Sequence, residues 1–324
     1  MTTVEPIMPA DPEPADQSVA SSVESSSAQS AVSSASSLSP DPPASPESPV
    51  SSVARSAVSP AAQSAVSSVA RSASPAPLES SPPDHEIPRY DDLRYRDVFW
   101  AARDYEDRCD RMAIRALLPP TGERLVEVGA GYGRLAGEYR GYREVVLLDA
   151  SEAHVAAARE QFHDEPRIRV EQGDAYALPF DDGSFDAVVC VRVVHHLEHP
   201  GAVFAEFARI LCPGGVLVLE FANKRNLKAI LTHALGRQDW SPFTMEPHEY
   251  LPLHFDRHPL EVRRMLRRAG LRVEAVRAVS LFRLPLLRER VPAGWLAAVE
   301  GPLQGPLGSV TPGPSVYVRA RKSG

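Results

Sequence analysis

The spacing of hydrophobic positions changes repeatedly along this chain from residue 124 onward. Short apolar runs alternate with segments in which apolar residues recur at helical spacing. The runs predict strands at 124–128, 144–148, 167–171, 185–191, 216–221, 271–279 and 315–321. The helical spacing predicts helices at 135–139, 152–162, 201–211, 260–269 and 286–299, with one or two more between 90 and 118.

Strands that alternate with helices indicate an α/β fold. The run 216–221 is almost entirely apolar, which is typical of a strand buried on both faces of a parallel sheet. Crossover connections place helices on both faces of such a sheet. We therefore predict a single Rossmann-like, doubly wound domain with a seven-stranded, mostly parallel sheet.

The N-terminal quarter of the chain has a different composition. Up to about Asp84 nearly every residue is Ser, Ala, Pro, Val or an acid, and no aromatic residue occurs. Such a segment buries too little apolar surface to offset the entropy lost on ordering. We predict a disordered, low-complexity tail at 1–86 and a folded domain at 87–324.

The net charge of the chain is concentrated in this tail. Nine acidic residues and two arginines give the tail a charge of −7, which equals the formal net charge of the whole chain. The folded part is therefore close to neutral, and no strong basic field attracts nucleic acid. No apolar run reaches the ~20 residues that span a bilayer, and no secretory leader is recognisable. We expect a cytoplasmic protein without a transmembrane segment.

A glycine-rich loop follows the first predicted strand. It contains Glu127, Gly129, Gly131 and Gly133, in the spacing E-x-G-x-G-x-G, and it leads into a predicted helix. Glycines at the end of a parallel strand permit a sharp turn and a close approach of a ligand to the backbone. Arg134 stands where the dinucleotide fingerprint G-x-G-x-x-G has its third glycine. The loop indicates a nucleotide-type cofactor.

Asp149, at the end of the second predicted strand, stands where a carboxylate can accept both hydroxyls of a ribose. The loop and Asp149 together still fit an NAD-dependent oxidoreductase. Four further motifs follow along the chain. In order, they are Gly173-Asp174-Ala175, Phe185-Asp186-Ala187-Val188-Val189, His195-His196-Leu197 and Leu211-Cys212-Pro213-Gly214-Gly215.

This ordered series resembles the class I S-adenosylmethionine-dependent methyltransferases, in particular the small-molecule type with the E-x-G-x-G-x-G loop. The resemblance implies that the cofactor is S-adenosyl-L-methionine and that Glu127 and the three glycines line its methionine and ribose end. It also implies ligand roles at the later strand ends: Asp149 for the ribose, Ala150 and Ala175 beside the adenine, Asp174 for the adenine amine, and Val191 beneath the sulfonium. Arg103 and Tyr105 would close over the cofactor's carboxylate, as similar helices do in the family.

Two histidines are the candidate catalytic residues. His195 and His196 stand where members of the family often present a residue to the methyl acceptor, and an imidazole that titrates near neutrality suits a general base. A structural alternative is that one imidazole packs against a strand while the other caps a loop.

The segment 223–259 interrupts the strand–helix alternation and is predicted to form a lid or acceptor-binding insertion. Its aromatic and histidine side chains suit a small organic acceptor. His248, His254 and His258, with Glu246 and Glu249, match no compact zinc pattern, so no metal site is expected.

Two other function classes remain open from the sequence. They are a non-catalytic, cofactor-binding scaffold of the same fold and an NAD-dependent oxidoreductase. The predicted helix at 286–299 is apolar enough either to pack in the core, to cover the pocket or to lie on a membrane surface.

Overall fold

The computed structural model describes Trp100 and residues 103–323. The predicted tail at 1–86, together with any helix before Trp100, lies outside the described residues. The described chain forms a strand-and-helix domain that follows the predicted order closely.

The seven predicted strands are all present and agree with their predicted limits to within two residues, except that the strand predicted at 216–221 begins at Leu211. Two short strands within 223–259 were not predicted. The described strands are β1 (Gly122–Val128), β2 (Tyr142–Asp149), β3 (Ile168–Gln172), β4 (Phe185–Cys190), β5 (Leu211–Ala222), β6 (His248–Leu251), β7 (His254–Asp256), β8 (Leu271–Val279) and β9 (Ser315–Lys322). The helices are α1 (Asp104–Leu117), α2 (Glu152–Gln161), α3 (Pro200–Ile210), α4 (Leu227–Ala234), α5 (Pro259–Arg268), α6 (Pro285–Arg290) and α7 (Ala293–Gln304).

Seven of the described strands form one sheet in the order β3-β2-β1-β4-β5-β9-β8. The pairings from β3 through β5 are parallel, whereas β9 runs antiparallel to both β5 and β8. The strand order reverses at β1, since the chain first adds β2 and β3 on one side and then β4 and β5 on the other. A crevice at the carboxyl ends of the strands is the usual ligand site at such a switch point. The predicted seven-stranded, mostly parallel sheet is confirmed.

Successive residues of the central strands pack into two separate cores. Val126 of β1 lies in one core with Phe204 of α3 and Val262 of α5. Leu125 lies in the other with Ile114 of α1, and that core also contains buried residues of α7. Side chains alternate across a strand, so helices cover both faces of the sheet, as predicted.

The predicted helix at 286–299 is wrong as a single element. The structure has α6 and α7 instead, separated by Val291 and Pro292, both of which have extended backbone angles. A proline has no amide hydrogen and disfavours helical geometry in the residue before it, which explains the break. None of the described helices is both long enough and apolar enough to cross a membrane.

Two other segments also differ from the prediction. The helix expected at 135–139 is a single 3-10 turn, Ala136–Tyr139, because only a few residues separate the glycine loop from the start of β2. The segment 223–259, predicted only as a lid or acceptor-binding insertion that interrupts the alternation, contains α4 and the antiparallel hairpin β6–β7.

Candidate active site

The glycine loop turns sharply at the carboxyl end of β1. Gly129, Gly131 and Gly133 have φ angles of 75°, 57° and 83°, in the left-handed region that favours glycine. A Cβ at Gly133 would lie 2.3 Å from Cε2 of Phe162, so this glycine is also needed for packing. A Cβ at Gly131 would have only Nδ1 of His154 nearby, at 3.9 Å, so this position leaves room for a ligand.

Asp149 connects the glycine loop to the end of β2. Its Oδ2 accepts a hydrogen bond of 2.7 Å from the amide of Gly131, and its Oδ1 accepts one of 2.9 Å from the amide of Ser151. Nδ1 of His154 lies 3.7 Å from the same Oδ1. Each carboxylate oxygen keeps a lone pair beyond these bonds, so Asp149 fixes the loop and remains able to accept from a ligand hydroxyl.

Glu127 is the buried acid of the site. Burial raises the pKa of its carboxyl group to about 8. Its Oε2 has no hydrogen-bond partner among the described residues, which is costly for a buried polar atom. An ammonium group of a ligand in the adjoining cavity would satisfy this oxygen and favour the ionised form.

A cavity opens at the carboxyl ends of β1, β2 and β4, between these two acids. The predicted site residues that line it are Glu127, Gly129, Gly131, Asp149, Ala150, Ala175, Val191 and His196. These residues come from the carboxyl ends of separate strands and from the loops that follow them. The sheet therefore brings most of the predicted cofactor residues together around one space.

The remaining predicted residues do not line this cavity. Gly133 supports the loop from behind, and His195 lies next to the lining residue His196. Asp174 lies between the lining residues Gly173 and Ala175, and its Oδ1 accepts a hydrogen bond from the amide of Tyr176. The adenine role of Asp174 stays a prediction.

The structure places Tyr105 away from the cavity. Its buried hydroxyl donates to the carboxylate of Glu300 and accepts a hydrogen bond from the amide of Phe282. These contacts hold α1 against α7, and the cofactor role of Tyr105 stays a prediction that they do not support. Arg103, at the start of α1, has Glu106 as a charged neighbour and is not among the lining residues; its carboxylate role stays a prediction.

Two arginines of the site were not assigned from the sequence. The guanidinium of Arg134 lies 3.6 Å from the ring centroid of Trp100, and that of Arg192 lies 5.1 Å from the same centroid. Both arginines form ion pairs of 3.1 Å with Asp110, a fully buried residue of α1. All three aromatic and guanidinium groups line the cavity. Arg134 also pairs with Asp107, so the charges of the two arginines are balanced by Asp107 and Asp110. The two guanidinium groups and the indole form one wall of the cavity, the guanidinium wall.

Arg192 is held at both its backbone and its side chain. Its φ angle is 61°, an uncommon value for a residue with a side chain. Its amide donates to Oε2 of Glu220 at 2.9 Å, and its guanidinium binds Asp110. Burial opposes its charge, but Asp110 and Glu220 keep the pKa of Arg192 above its usual range. Strained residues of this kind concentrate at functional sites.

The predicted catalytic histidines belong to a cluster of three imidazoles. The ring centroids of His195 and His196 are 3.9 Å apart, and that of His254 on β7 lies 4.6 Å from His196. Burial lowers the pKa of His195 well below its usual range and that of His196 to about 4. Both imidazoles are therefore neutral near pH 7 and are weak proton acceptors.

Asp256 is an acid of the same hairpin that sequence reasoning missed. It lies two residues after His254 on β7, so the two side chains project from the same face of the strand. Burial raises the pKa of Asp256 to about 6, which suits proton transfer near neutral pH better than the histidine values do. Among the described residues, no group of His, Cys, Asp or Glu is arranged to hold a metal ion.

Comparison with known proteins identifies the family. Residues 126–219 match the model of the family described as "Methyltransferase domain". These residues contain the glycine loop, Asp149 and both histidines of the predicted site.

Two curated relatives and one solved structure illustrate the similarity. A phosphatidylethanolamine N-methyltransferase of Cereibacter sphaeroides is 33% identical over 147 residues, which are 43% of this chain and 72% of that protein. A demethylmenaquinone methyltransferase of Clavibacter sepedonicus is 34% identical over 111 residues, 34% of this chain and 45% of that protein. The crystal structure of a SAM-dependent methyltransferase from Thermotoga maritima covers 71% of this chain and 95% of its own, with 22% identity and a TM-score of 0.51.

The chain spans a little under half the length of the first curated relatives that it matches. The matched part nevertheless contains the strands and loops that surround the cavity. The fold, the family match and a relative aligned over most of its length lead to one conclusion. This chain belongs to the S-adenosylmethionine-dependent methyltransferases.

Proposed function

We propose that this protein transfers the methyl group of S-adenosylmethionine to a small organic acceptor. The observation that carries the proposal is the convergence of Glu127, the open side of Gly131, and Asp149 on one cavity at the switch point of the sheet. Bound S-adenosylmethionine supplies a methyl group on a sulfonium, which needs mainly correct alignment with the acceptor. Relatives named for a quinone and for a phospholipid support an organic acceptor.

We assign each part of the cofactor to a group in the cavity wall or directly beside it. Asp149 accepts from the ribose hydroxyls while it keeps Gly131 in place. Glu127 faces the methionyl ammonium, and the guanidinium wall of Arg134 and Arg192 faces the methionyl carboxylate. Ala150 and Ala175 leave room for the adenine ring, Asp174 accepts from its amine, and Val191 lies beneath the sulfonium.

The acceptor is proposed to bind between the histidine cluster and the segment 223–259. His196 lines the cavity, and His254 joins it to the hairpin β6–β7 through their ring contact. The neutral imidazoles orient the acceptor through hydrogen bonds. Where the reacting atom of the acceptor begins as O–H or N–H, the carboxylate of Asp256 takes the proton from that atom. This division gives the histidines a positioning role.

Calorimetric titration with S-adenosylmethionine tests the cofactor assignment directly. Ionisation of Glu127 on binding releases a proton, because the ligand ammonium lowers the raised pKa of its carboxyl group. At pH 7 the observed heat should therefore depend on the ionisation enthalpy of the buffer. S-adenosylmethionine that fails to bind, with NAD binding in its place, would overturn the proposal.

Turnover is tested separately, with a panel of hydroxylated, phenolic and amino acceptors and detection of S-adenosylhomocysteine. Product formation supports the enzyme. Tight cofactor binding without turnover of any acceptor would support the scaffold alternative.

A further inference from the structure

Arg257 is a buried arginine that directly follows β7. Its side chain is 4% exposed, and the residue before it is Asp256, the last residue of that strand. Nη2 of Arg257 donates hydrogen bonds of 2.7 Å to the carbonyl of Leu197 and of 3.1 Å to that of Glu198. Both carbonyls belong to the histidine loop, residues 195–199. A single side chain therefore joins the hairpin β6–β7 to this loop.

The charge of Arg257 is matched inside the domain. Its Nη1 lies 3.0 Å from Oε1 of Glu261, one turn later on α5. Burial lowers the pKa of Arg257, and the carboxylate of Glu261 opposes that change. The planar guanidinium has enough donors to bind a carboxylate and carbonyl groups together. Pairing with Glu261 explains the contact of Nη1, whereas the two bonds of Nη2 hold a separate segment.

The backbone of Arg257 is fixed by the end of β5. Its amide donates to the carbonyl of Ala222 at 2.9 Å, and its carbonyl accepts from the amide of Lys224 at 3.0 Å. Asn223, between these two residues, forms a parallel bridge with Arg257. The main sheet therefore sets the position of Arg257, and the guanidinium group transmits that position to the histidine loop.

The hairpin and the histidine loop also meet through the proposed acceptor-binding groups. The imidazole of His196 has a hydrogen bond with the backbone of Leu253, in the turn of the hairpin. Its ring centroid lies 4.6 Å from that of His254 on β7. Asp256 is on the same strand. Because Arg257 binds the residues just after His196, a displacement of its guanidinium would move that imidazole relative to Asp256.

We propose that Arg257 is a positioning residue for methyl transfer, which fixes the distance between the two histidines of the loop and the carboxylate of Asp256. This inference rests on the proposed function, because it assigns a role in that reaction. A misplacement of about 1 Å can lower the rate of an aligned reaction by about 100-fold. Lysine is not equivalent at this position, since its ammonium group lacks the planar fork that holds two carbonyls and a carboxylate in fixed directions.

The test compares Arg257→Lys with the wild type. We expect kcat for an acceptor that is turned over to fall at least about tenfold, while the affinity for S-adenosylmethionine in calorimetry stays unchanged. Arg209→Lys is the matched control. Arg209 donates to the carbonyls of Leu178 and Phe180 and pairs with Glu206, and none of its contacts among the described residues involves the histidine loop. This control should keep the wild-type kcat.

A second measurement does not require turnover. NMR of the imidazoles follows the titration of His196, whose signals are assigned with His196→Gln. Burial lowers the pKa of His196 to about 4, and its titratable neighbours are His195 on its own loop and His254 on β7. Arg257→Lys should let water reach this imidazole and raise its pKa toward the ordinary value of 6.5. Arg209→Lys should leave the pKa at its wild-type value.

The outcomes separate this proposal from the proposed function. A wild type that does not bind S-adenosylmethionine or methylate any acceptor would count against the proposed function, and the histidine titration would still decide whether Arg257 fixes the loop. Wild-type kcat and wild-type titration of His196 in Arg257→Lys would overturn the positioning role alone. An equal fall of kcat in Arg209→Lys would also overturn it. Arg257→Gln replaces Arg257→Lys if circular dichroism shows that the lysine variant does not fold.

Discussion

The proposed cofactor side and the proposed acceptor side of the cavity are built in different ways. On the cofactor side, Glu127, Gly131 and Asp149 are placed by the ends of adjacent parallel strands, and backbone amides complete the contacts. On the acceptor side, His196 meets His254 through a side-chain contact between segments far apart in the chain. The first arrangement depends on neighbouring strand ends and the turns that follow them. The second depends on how one particular hairpin packs.

This difference also appears in the electrostatics. Glu127 has a raised pKa because its strand end is buried, and an ammonium group of the ligand can compensate its charge. Asp256, His195 and His196 have shifted pKa values because each of them is buried, and Asp256 belongs to the hairpin β6–β7 itself. Substitutions on the two sides should therefore affect different steps.

The largest effect is expected for Asp149→Ala. The variant loses the contacts to the ribose and also the bonds that hold Gly131 and Ser151, so affinity for S-adenosylmethionine should fall about 100-fold. Calorimetry measures this fall, and circular dichroism should show an unchanged fold. Asp149→Asn is the matched control: it keeps the size but replaces one acceptor by a donor, so most of the affinity should also be lost. Unchanged affinity in both variants would contradict the placement of the ribose.

A second substitution on the cofactor side, Glu127→Gln, should raise the free energy of unfolding and weaken cofactor binding. The pKa of Glu127 in the folded protein, about 8, lies above its ordinary value of 4.5. Between these values the unfolded chain releases the proton first, so the free energy of unfolding falls as pH rises through this window. Glu127→Gln removes the ionisation and should raise stability at pH 7 by on the order of 2 kcal/mol while weakening cofactor binding.

Denaturant unfolding of this variant and the wild type at pH 5 and pH 8 measures the effect. The increase in the free energy of unfolding caused by Glu127→Gln should be larger at pH 8 than at pH 5. A constant difference between the two pH values would show that Glu127 does not titrate in this window.

On the acceptor side, Asp256→Asn should lower kcat about tenfold and leave cofactor affinity unchanged. A carboxyl group with a pKa of about 6 must lose its proton to act as a base, so wild-type kcat should rise with pH through about 6. The variant should lack this acidic limb. Asp239→Asn, an exposed acid in the same segment, is the control and should retain it. A variant profile with the wild-type limb would remove Asp256 from the proposed mechanism.

The smallest effect is expected from deletion of residues 2–86. This segment has the composition of a chain that forms no core, so the melting temperature and the cofactor affinity should stay within experimental scatter. Differential scanning calorimetry and the same titration measure both quantities. A marked loss of stability would show that the tail contributes to the folded domain.

Most of the fold and much of the cofactor side could be predicted from the sequence. Strand periodicity and the three spaced glycines are local signals, and the structure has strands and left-handed glycines at those places. Pro292 is also a local signal. Because a proline disfavours helical geometry in the residue before it, the sequence is sufficient to predict the break between α6 and α7.

Other parts of the site had no local signal. Trp100, Asp110 and Arg134 lie on different segments, and their stacking and ion pairs exist only once α1 packs against the sheet. The helical pattern of the sequence does not show whether Tyr105 faces the cavity or a neighbouring helix. In the structure its hydroxyl donates to Glu300. Helical spacing gives the relative directions of side chains and does not give the rotation of the helix against its neighbours.

The sequence by itself determined the order of strands and helices, the loop that turns at Glu127–Gly133 and the carboxylate at Asp149, because each depends on residues within one strand and the turn after it. Only the tertiary structure decided that Arg134 and Arg192 share Asp110, that His254 meets His196, and that Arg257 binds the histidine loop. Those contacts join distant segments, and their free energy comes from burial and charge pairing that exist only in the folded chain.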